Sequence, residues 1–452
     1  MIVNVKDGPF LAAGDGVTDD RTALQAAITA VAAAGGGIVR IPTGVYMVSQ
    51  APYTFQCLLV PGNVTLEGDG TGATTLKQLG GMYTSVRLIR TGGPNIRIRD
   101  LTLDGNKDLQ TTASEHRHGL IAWDSPRLTL ERVVSRNFTG DGFYIYLGCV
   151  DTTFHLCSAI DNNRNGLSMA QHTDNVLVLG GTYRGNRVQQ IDSEPKGTAK
   201  VSNIRIVGAY LEAFQGGIAL TVSGTPDVHG GGWSIVGNTI NGTIHSVYCD
   251  RVSLVGNHGT NIGFSPWYRV WRSGDHHAVV GNAIECTQAL GGIAAYGMQG
   301  TQPTHLLVVG NAVKMASPDA VGVSMTGVIS SAILGNTLEG GGVPSLYGAG
   351  IYIRATHLDV KARSSIVIGN YVMDFGKYGV LYNGNSTSRS LANLAVGNVF
   401  DSAKGSQTVG VGAAMAVSQS TLEEGVTILG NQAVGATVTN LDTPATPSIE
   451  WK

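Results

Sequence analysis

Apolar and polar residues alternate along most of this chain in short runs. Leu66-Glu67-Gly68-Asp69-Gly70 and Ile96-Arg97-Ile98-Arg99-Asp100-Leu101-Thr102-Leu103 have the period of half-buried strands. A family of strands shares a Gly-apolar-x-apolar pattern: His118 to Trp123, Asp141 to Tyr146, Asn165 to Ala170, Gln189 to Glu194 and Gly216 to Thr221. Later members are Ser246 to Asp250, Arg269 to Trp271, Gly292 to Tyr296 and Gly350 to Arg354. Successive side chains in a strand point to opposite faces. Leu120, Phe143, Ile145, Leu167, Met169, Ile191, Ile218, Leu220, Val247, Val270 and Ile351 are therefore expected to point inward. The outward set is Trp123, Tyr144, Tyr146, Asp192, Glu194, Tyr248, Asp250, Arg269, Trp271, Tyr296, Tyr352 and Arg354.

The second pattern is a repeat. An aliphatic residue followed by Gly-Asn ends eight strand-like runs, with the asparagines at 238, 257, 282, 311, 336, 370, 398 and 431. Self-similarity on this scale indicates stacked units. Gly supplies a positive-φ corner, and Asn over Asn lets the amides hydrogen-bond from coil to coil. The expected fold is all-β, a right-handed parallel β-helix. One helix is expected: Thr18 or Asp19 can cap it, Leu24, Ala27, Ile28 and Val31 share a face, and Gly35-Gly36-Gly37 ends it. Its purpose would be to cover the open end of the stack, so it is read as an N-terminal capping helix. The expected division is a cap over 1–46, a β-helix carrying a carbohydrate groove over 47–440, and a tail over 441–452 with Pro444 and Pro447.

Composition narrows the classes. The 452 residues include 63 Gly but only 14% charged residues, which suits a turn-rich β protein. A net charge of −2 without a basic run argues against nucleic acid, and no apolar run is long enough to span a membrane. Met1 to Asp7 lacks the apolar segment of a signal peptide, which leaves the localisation open between a phage virion, signal-less secretion, the cytoplasm and a leader absent from this sequence. Cys57, Cys149, Cys157, Cys249 and Cys286 are too scattered for a disulfide framework or a zinc site and read mostly as free core thiols, with one pair left open.

One segment carries a resemblance. Gly14-Asp15-Gly16-Val17-Thr18-Asp19-Asp20, the Ala-rich helix, Gly35 to Gly37 and Ile41-Pro42-x-Gly44-x-Tyr46 resemble the N-terminal cap of the pectate-lyase-like β-helix superfamily. That group includes phage tailspikes and depolymerases, alginate C5-epimerase modules and related glycosidases. The resemblance implies the fold, assigns Asp15, Asp19 and Asp20 to the cap rather than to a metal, and leaves a homotrimer open by analogy with tailspikes.

Aromatic residues make up only 6% of the chain, yet they gather in the outward set with carboxylates between them. Flat rings interleaved with hydrogen-bonding groups suit sugar faces, so the expected partner is a poly- or oligosaccharide. Asp192 and Glu194, two apart on one strand and roughly 7 Å apart at Cβ, form the expected acid and nucleophile or base of a glycosidase. Their segment, Ile191-Asp192-Ser193-Glu194-Pro195, also resembles an Ile-Asp-x-Glu-Pro motif of tailspike-like β-helices. A calcium site is the alternative for this pair; otherwise no cofactor is expected. Asp250, about 10 Å further along the stack, is a reserve acid. Arg187, Lys196 and Arg269 can hold polar or anionic sugar groups. Asp141 and Asp161 are weaker candidates near corners. His116, His118 and His172 read as surface or packing residues. Asp275-His276-His277 lacks a third ligand for a metal site. The pectate-lyase and polygalacturonase signatures are missing, and Tyr144-Ile145-Tyr146 stands where the epimerase modules carry their catalytic acid and His. Hydrolysis of a glycosidic bond is therefore the leading expectation. The alternatives are a uronate lyase or C5-epimerase, in which Tyr144 or Tyr146 works with Arg269, and a glycan-binding adhesin without catalysis.

Overall fold

The computed structural model describes residues 1–83, 85–110, 114–272, 274–287, 291–298, 300–317, 319–341, 348–354, 364–375, 378–383, 393–401 and 426–434. The expected tail over 441–452 lies outside them. Contacts group the chain into two units, Met1–Phe214 with Ile218–Gly230, and Gln215–Gly217 with Gly231–Lys452. Each is a stack of parallel β coils whose strands fall on three faces.

In the first unit the front face is built from Gln56–Pro61, Arg87–Gly92, Leu120–Trp123, Phe143–Tyr146, Leu167–Ala170, Ile191–Glu194 and Ile218–Ser223, each parallel to its neighbour. Register runs Ile89, Leu120, Phe143, Leu167, Ile191 in one column and Arg90, Ile121, Tyr144, Ser168, Asp192 in the next. The first column is fully buried. The second faces outward, so the pleat read from the sequence holds here. Arg97–Asp104, Thr129–Arg136, Val150–His155 and Thr173–Leu179 belong to the parallel ranks behind.

The helix Arg21–Ala33 buries Leu24, Ala27, Ile28 and Val31 against the opening strands. Its N-cap residue is Asp20, not Thr18 or Asp19, and Asp20 makes no side-chain capping bond. The Asp20 carboxylate turns back to accept the amides of Ala13 and Gly14 at 2.6 and 2.9 Å. Asp15 accepts those of Val17 and Thr18 at 2.9 and 2.8 Å. These acids satisfy backbone donors that would otherwise be orphaned.

In the second unit the front face comprises Thr243–Val247, Tyr268–Trp271, Gly291–Tyr296, Val321–Thr326, Ala349–Arg354 and Tyr378–Asn383. The repeated Gly-Asn marks its second corner. All eight glycines have φ between 58° and 63°. Each asparagine from 238 to 398 donates its Nδ2 to the Oδ1 of the next at 2.9 Å. The same oxygen accepts the preceding asparagine's backbone N–H, as Asn311 Oδ1 does from Asn282 at 2.9 Å. Buried amides are thus paired along the whole column. A shorter column links Asn162 to Asn186 at 2.8 Å in the first unit. All five cysteines are free and buried. No helix among the described residues is long and apolar enough to cross a membrane.

One strand departs from the expected parity. The front strand ends at Val247, which pairs with Trp271 and is only partly buried, while Ser246 points inward. Tyr248 is a corner residue with φ 49° and is itself buried. Cys249–Val255 then runs on the next face. The corner residue is a Tyr in the left-handed region, so the alternation is unbroken in sequence although the chain has turned. Ile218 is likewise partly buried rather than enclosed.

Candidate active site

The front face of the first unit holds a cleft of about 520 Å³. Its lining includes Arg87, His116, His118, Trp123, Tyr144, Tyr146, Gln171, Glu194 and Lys196. The rings follow one another along the wall. His118 stacks on Tyr144 at 4.8 Å, Tyr144 lies 6.0 Å from Tyr146, and Tyr146 meets the edge of Trp123 at 5.8 Å. Trp123 is 43% exposed and carries the Arg90 guanidinium 4.9 Å from its ring.

Beneath the cleft lies an ionic network centred on Arg164. Its Nη1 donates to Asp141 Oδ2 at 2.7 Å, its Nη2 donates to Glu194 Oε1, and its Nε lies 3.6 Å from Glu115. Asp141 is fully buried, and Asn165 N and Ser168 Oγ donate to it at 2.9 and 3.2 Å. Burial pushes the Asp141 carboxyl up to about 7 despite the neighbouring guanidinium. Asp192 is buried and accepts Asn165 Nδ2 at 3.1 Å. Burial, and then the charge and hydrogen bond of Glu194, drive the Asp192 carboxyl well above the usual range.

The cleft's other groups are tuned in the same way. Burial, with Arg87 and Arg164 nearby, holds His118 well below the usual imidazole range, so it is neutral. Its Nδ1 accepts the Asp141 N–H at 3.1 Å, which leaves the ring proton on Nε2. Burial and the adjacent acids raise Tyr144, so it stays a phenol. Arg87 Nη1 donates to Ser85 O at 3.0 Å, while its buried Nε has no partner among the described residues.

Of the residues expected from sequence, Trp123, Tyr144, Tyr146, Glu194 and Lys196 share this cleft. Asp192 is buried and is not among the lining residues. Arg187 is exposed at a corner and is not among the lining residues. Tyr248, Asp250, Arg269, Trp271, Tyr296 and Arg354 belong to the second unit. There Arg269 lies 3.9 Å over Trp271 and 5.7 Å from Tyr296, and Arg354 is exposed at the end of its strand. Asp250 is not on the front face: the corner at Tyr248 carries it to the next face, where its Oδ1 accepts Asp275 N at 2.9 Å. Sequence reasoning missed Arg87, Arg164 and the tuned role of His118. Arg164 joins acids 23 and 30 residues away, and only the coil register brings them together.

Residues 2–104 match the family model described as rhamnogalacturonase A/epimerase, pectate lyase-like. Mannuronan C5-epimerase AlgE4 of Azotobacter vinelandii is 36% identical over 197 residues, which are 41% of this chain and 35% of that protein. Alginate lyase 7 of the same organism is 35% identical over 176 residues, 37% of this chain and 20% of that protein. The chain thus spans about a third or less of these relatives' length. The solved AlgE4 A-module is 19% identical, with 96% of this chain and 99% of the module covered at a TM-score of 0.50. The N-terminal fragment of bacteriophage phi29 gene product 12 gives a TM-score of 0.58 at 16% identity, covering 98% of this chain and 73% of the fragment. These two solved structures bear on fold alone. The expectation of a glycoside hydrolase finds no support among the relatives, which are named as epimerases and a lyase. Residues 2–104 are thus similar to the pectate-lyase-like family, and the parallel coils share the β-helix fold of the two solved structures.

Proposed function

We propose that the protein acts on a uronic-acid polysaccharide by removing the proton at C5, as a C5-epimerase or a lyase. The observation that carries this reading is the make-up of the cleft. Its lining has one carboxylate among the described residues, Glu194, together with an un-ionised phenol, a neutral imidazole and two cations. A hydrolase needs two carboxyl groups flanking the bond. Here the second, Asp192, is buried and is not among the lining residues.

The chemistry follows from these groups. A C5–H bond beside a carboxylate becomes acidic only when that carboxylate is neutralised. Arg87, with an unpartnered buried Nε, and exposed Lys196 supply the cations. Glu194, held by Arg164, takes the proton. Tyr144 returns one from its phenol, with Tyr146 beside it. Return to C5 from the opposite face inverts the sugar. If the C4–O bond breaks instead, the Tyr144 proton goes to the departing oxygen and an unsaturated sugar is left. Trp123 and Tyr146 offer ring faces to neighbouring sugars. Identity above a third with an epimerase and a lyase over part of the chain supports this class. In this reading the helix Arg21–Ala33 caps the stack.

The test is incubation with mannuronate- and guluronate-rich alginates and other polyuronates, reading ultraviolet absorbance, sugar composition and reducing ends together. Absorbance gain or altered composition, lost in Glu194→Gln and with a raised KM in Arg87→Ala, is the expected result. New reducing ends with neither change would overturn it.

A further inference from the structure

The second unit contains a cluster that the cleft chemistry does not use. Asp275 and His276 lie on one coil, and His305 lies on the next. Asp275 pairs in register with Thr304, so the following residues, His276 and His305, occupy the same corner of successive coils. Both have positive φ, 56° and 52°. Their rings therefore stack, with centroids 4.6 Å apart and 14° between planes. Asp275 lies between them at the base: Oδ2 is 2.8 Å from His276 Nδ1, and Oδ1 is 2.7 Å from His305 Nδ1. One ligand atom from each of the three lies within 4.8 Å of the others.

We propose that Asp275, His276 and His305 form a binding site for a borderline divalent transition ion of the Zn²⁺ class. Two imidazole nitrogens and one carboxylate form a three-ligand set with positions left for water. Nitrogen donors favour zinc-like ions over Ca²⁺ and Mg²⁺, which take oxygen. Ligand bonds of about 2.0–2.2 Å need the two hydrogen-bonded gaps to open by less than about 1 Å. Side chains that are 64% and 54% exposed can do this by small rotations. Each ring moves its proton to Nε2, and the Nδ1 lone pair turns to the ion. The carboxylate is already oriented: Thr304 Oγ1 donates to Asp275 Oδ1, and Asp275 N is held by Asp250 Oδ1. Such second-layer bonds fix ligands in metal sites. Asp250 thereby gains a role outside the cleft, as an orienting residue.

The experiment is calorimetric titration of the untagged full chain with Zn²⁺, beside His305→Ala, His276→Gln and Asp275→Asn, with Ca²⁺ as a parallel titrant. Cobalt(II) absorption provides a second readout. The expected result is one Zn²⁺ equivalent in the wild type that weakens at least about tenfold in each variant. A visible cobalt band lost in the same variants should accompany it, with Ca²⁺ failing to compete. Because the two histidines are exposed, melting temperatures without metal should match the wild type. Identical isotherms in wild type and His305→Ala, or no saturable Zn²⁺ site in the wild type, would overturn the proposal.

Discussion

Replacing Asp141 with Asn should change how stability depends on pH. Asp141 is fully buried, and its carboxyl titrates near 7 rather than at 3.8. Arg164, its one arginine or lysine partner among the described residues, is shared with Glu194. A raised folded-state pKa means that the folded protein holds this proton more tightly than the unfolded chain does. The stabilisation is complete below about pH 4 and is lost as pH rises to about 7. At 1.36 kcal/mol per unit, the shift corresponds to about 4 kcal/mol. Movement of Arg164 towards the ionised carboxylate will reduce this. Asn cannot titrate, so the stability of Asp141→Asn minus that of the wild type should rise between about pH 4 and about pH 8 by more than 1.4 kcal/mol, roughly a decade in the unfolding constant. Denaturant unfolding of both proteins in parallel, followed by fluorescence of the five tryptophans, reads that difference. Other titrating groups are common to both and largely cancel. Curves that stay parallel across the range would refute the assignment of a buried, proton-holding Asp141.

Two further outcomes test the coil architecture. Asn311→Ala removes the acceptor of both Asn282 donors inside the column and should cost about 3 kcal/mol in denaturant unfolding, whereas Asn431→Ala, at its partly exposed described end, should cost about 1 kcal/mol. Gly181→Ala should destabilise by over about 3 kcal/mol, because its Cβ would meet Cys157 O at 1.8 Å at φ +90°, while Gly237→Ala, strained only by its φ of +62°, should lose about 1 kcal/mol in the same assay.

Much of the fold was legible because coils repeat the same local demands. Gly-Asn recurs where a left-handed corner must also supply a buried amide, and both requirements show in the residue types. The alternation around Phe143 to Tyr146 likewise fixes which side chains face out. The turn at Tyr248 was hidden because a tyrosine occupies the left-handed position without a marker residue. That hidden turn misassigned Asp250. The cleft was half legible. Its aromatic wall lies on aligned strands, but Arg87 begins a strand outside the Gly-apolar pattern. The partners of Arg164 become visible only when coils stack. A lone arginine in a polar turn carries no sign of the two acids it joins. The third ligand beside Asp275 was invisible for the same reason: His305 lies 30 residues away.

The central claim is proton removal at C5, and solvent exchange reads that step directly. A polymannuronate or mixed alginate would be incubated with the protein in deuterium oxide and analysed by nuclear magnetic resonance and mass spectrometry. The account predicts deuterium at C5 of the inverted or residual sugars, or an unsaturated end group if elimination dominates, with both absent in Glu194→Gln. Depolymerisation of alginate into saturated sugars without deuterium at C5 would contradict it.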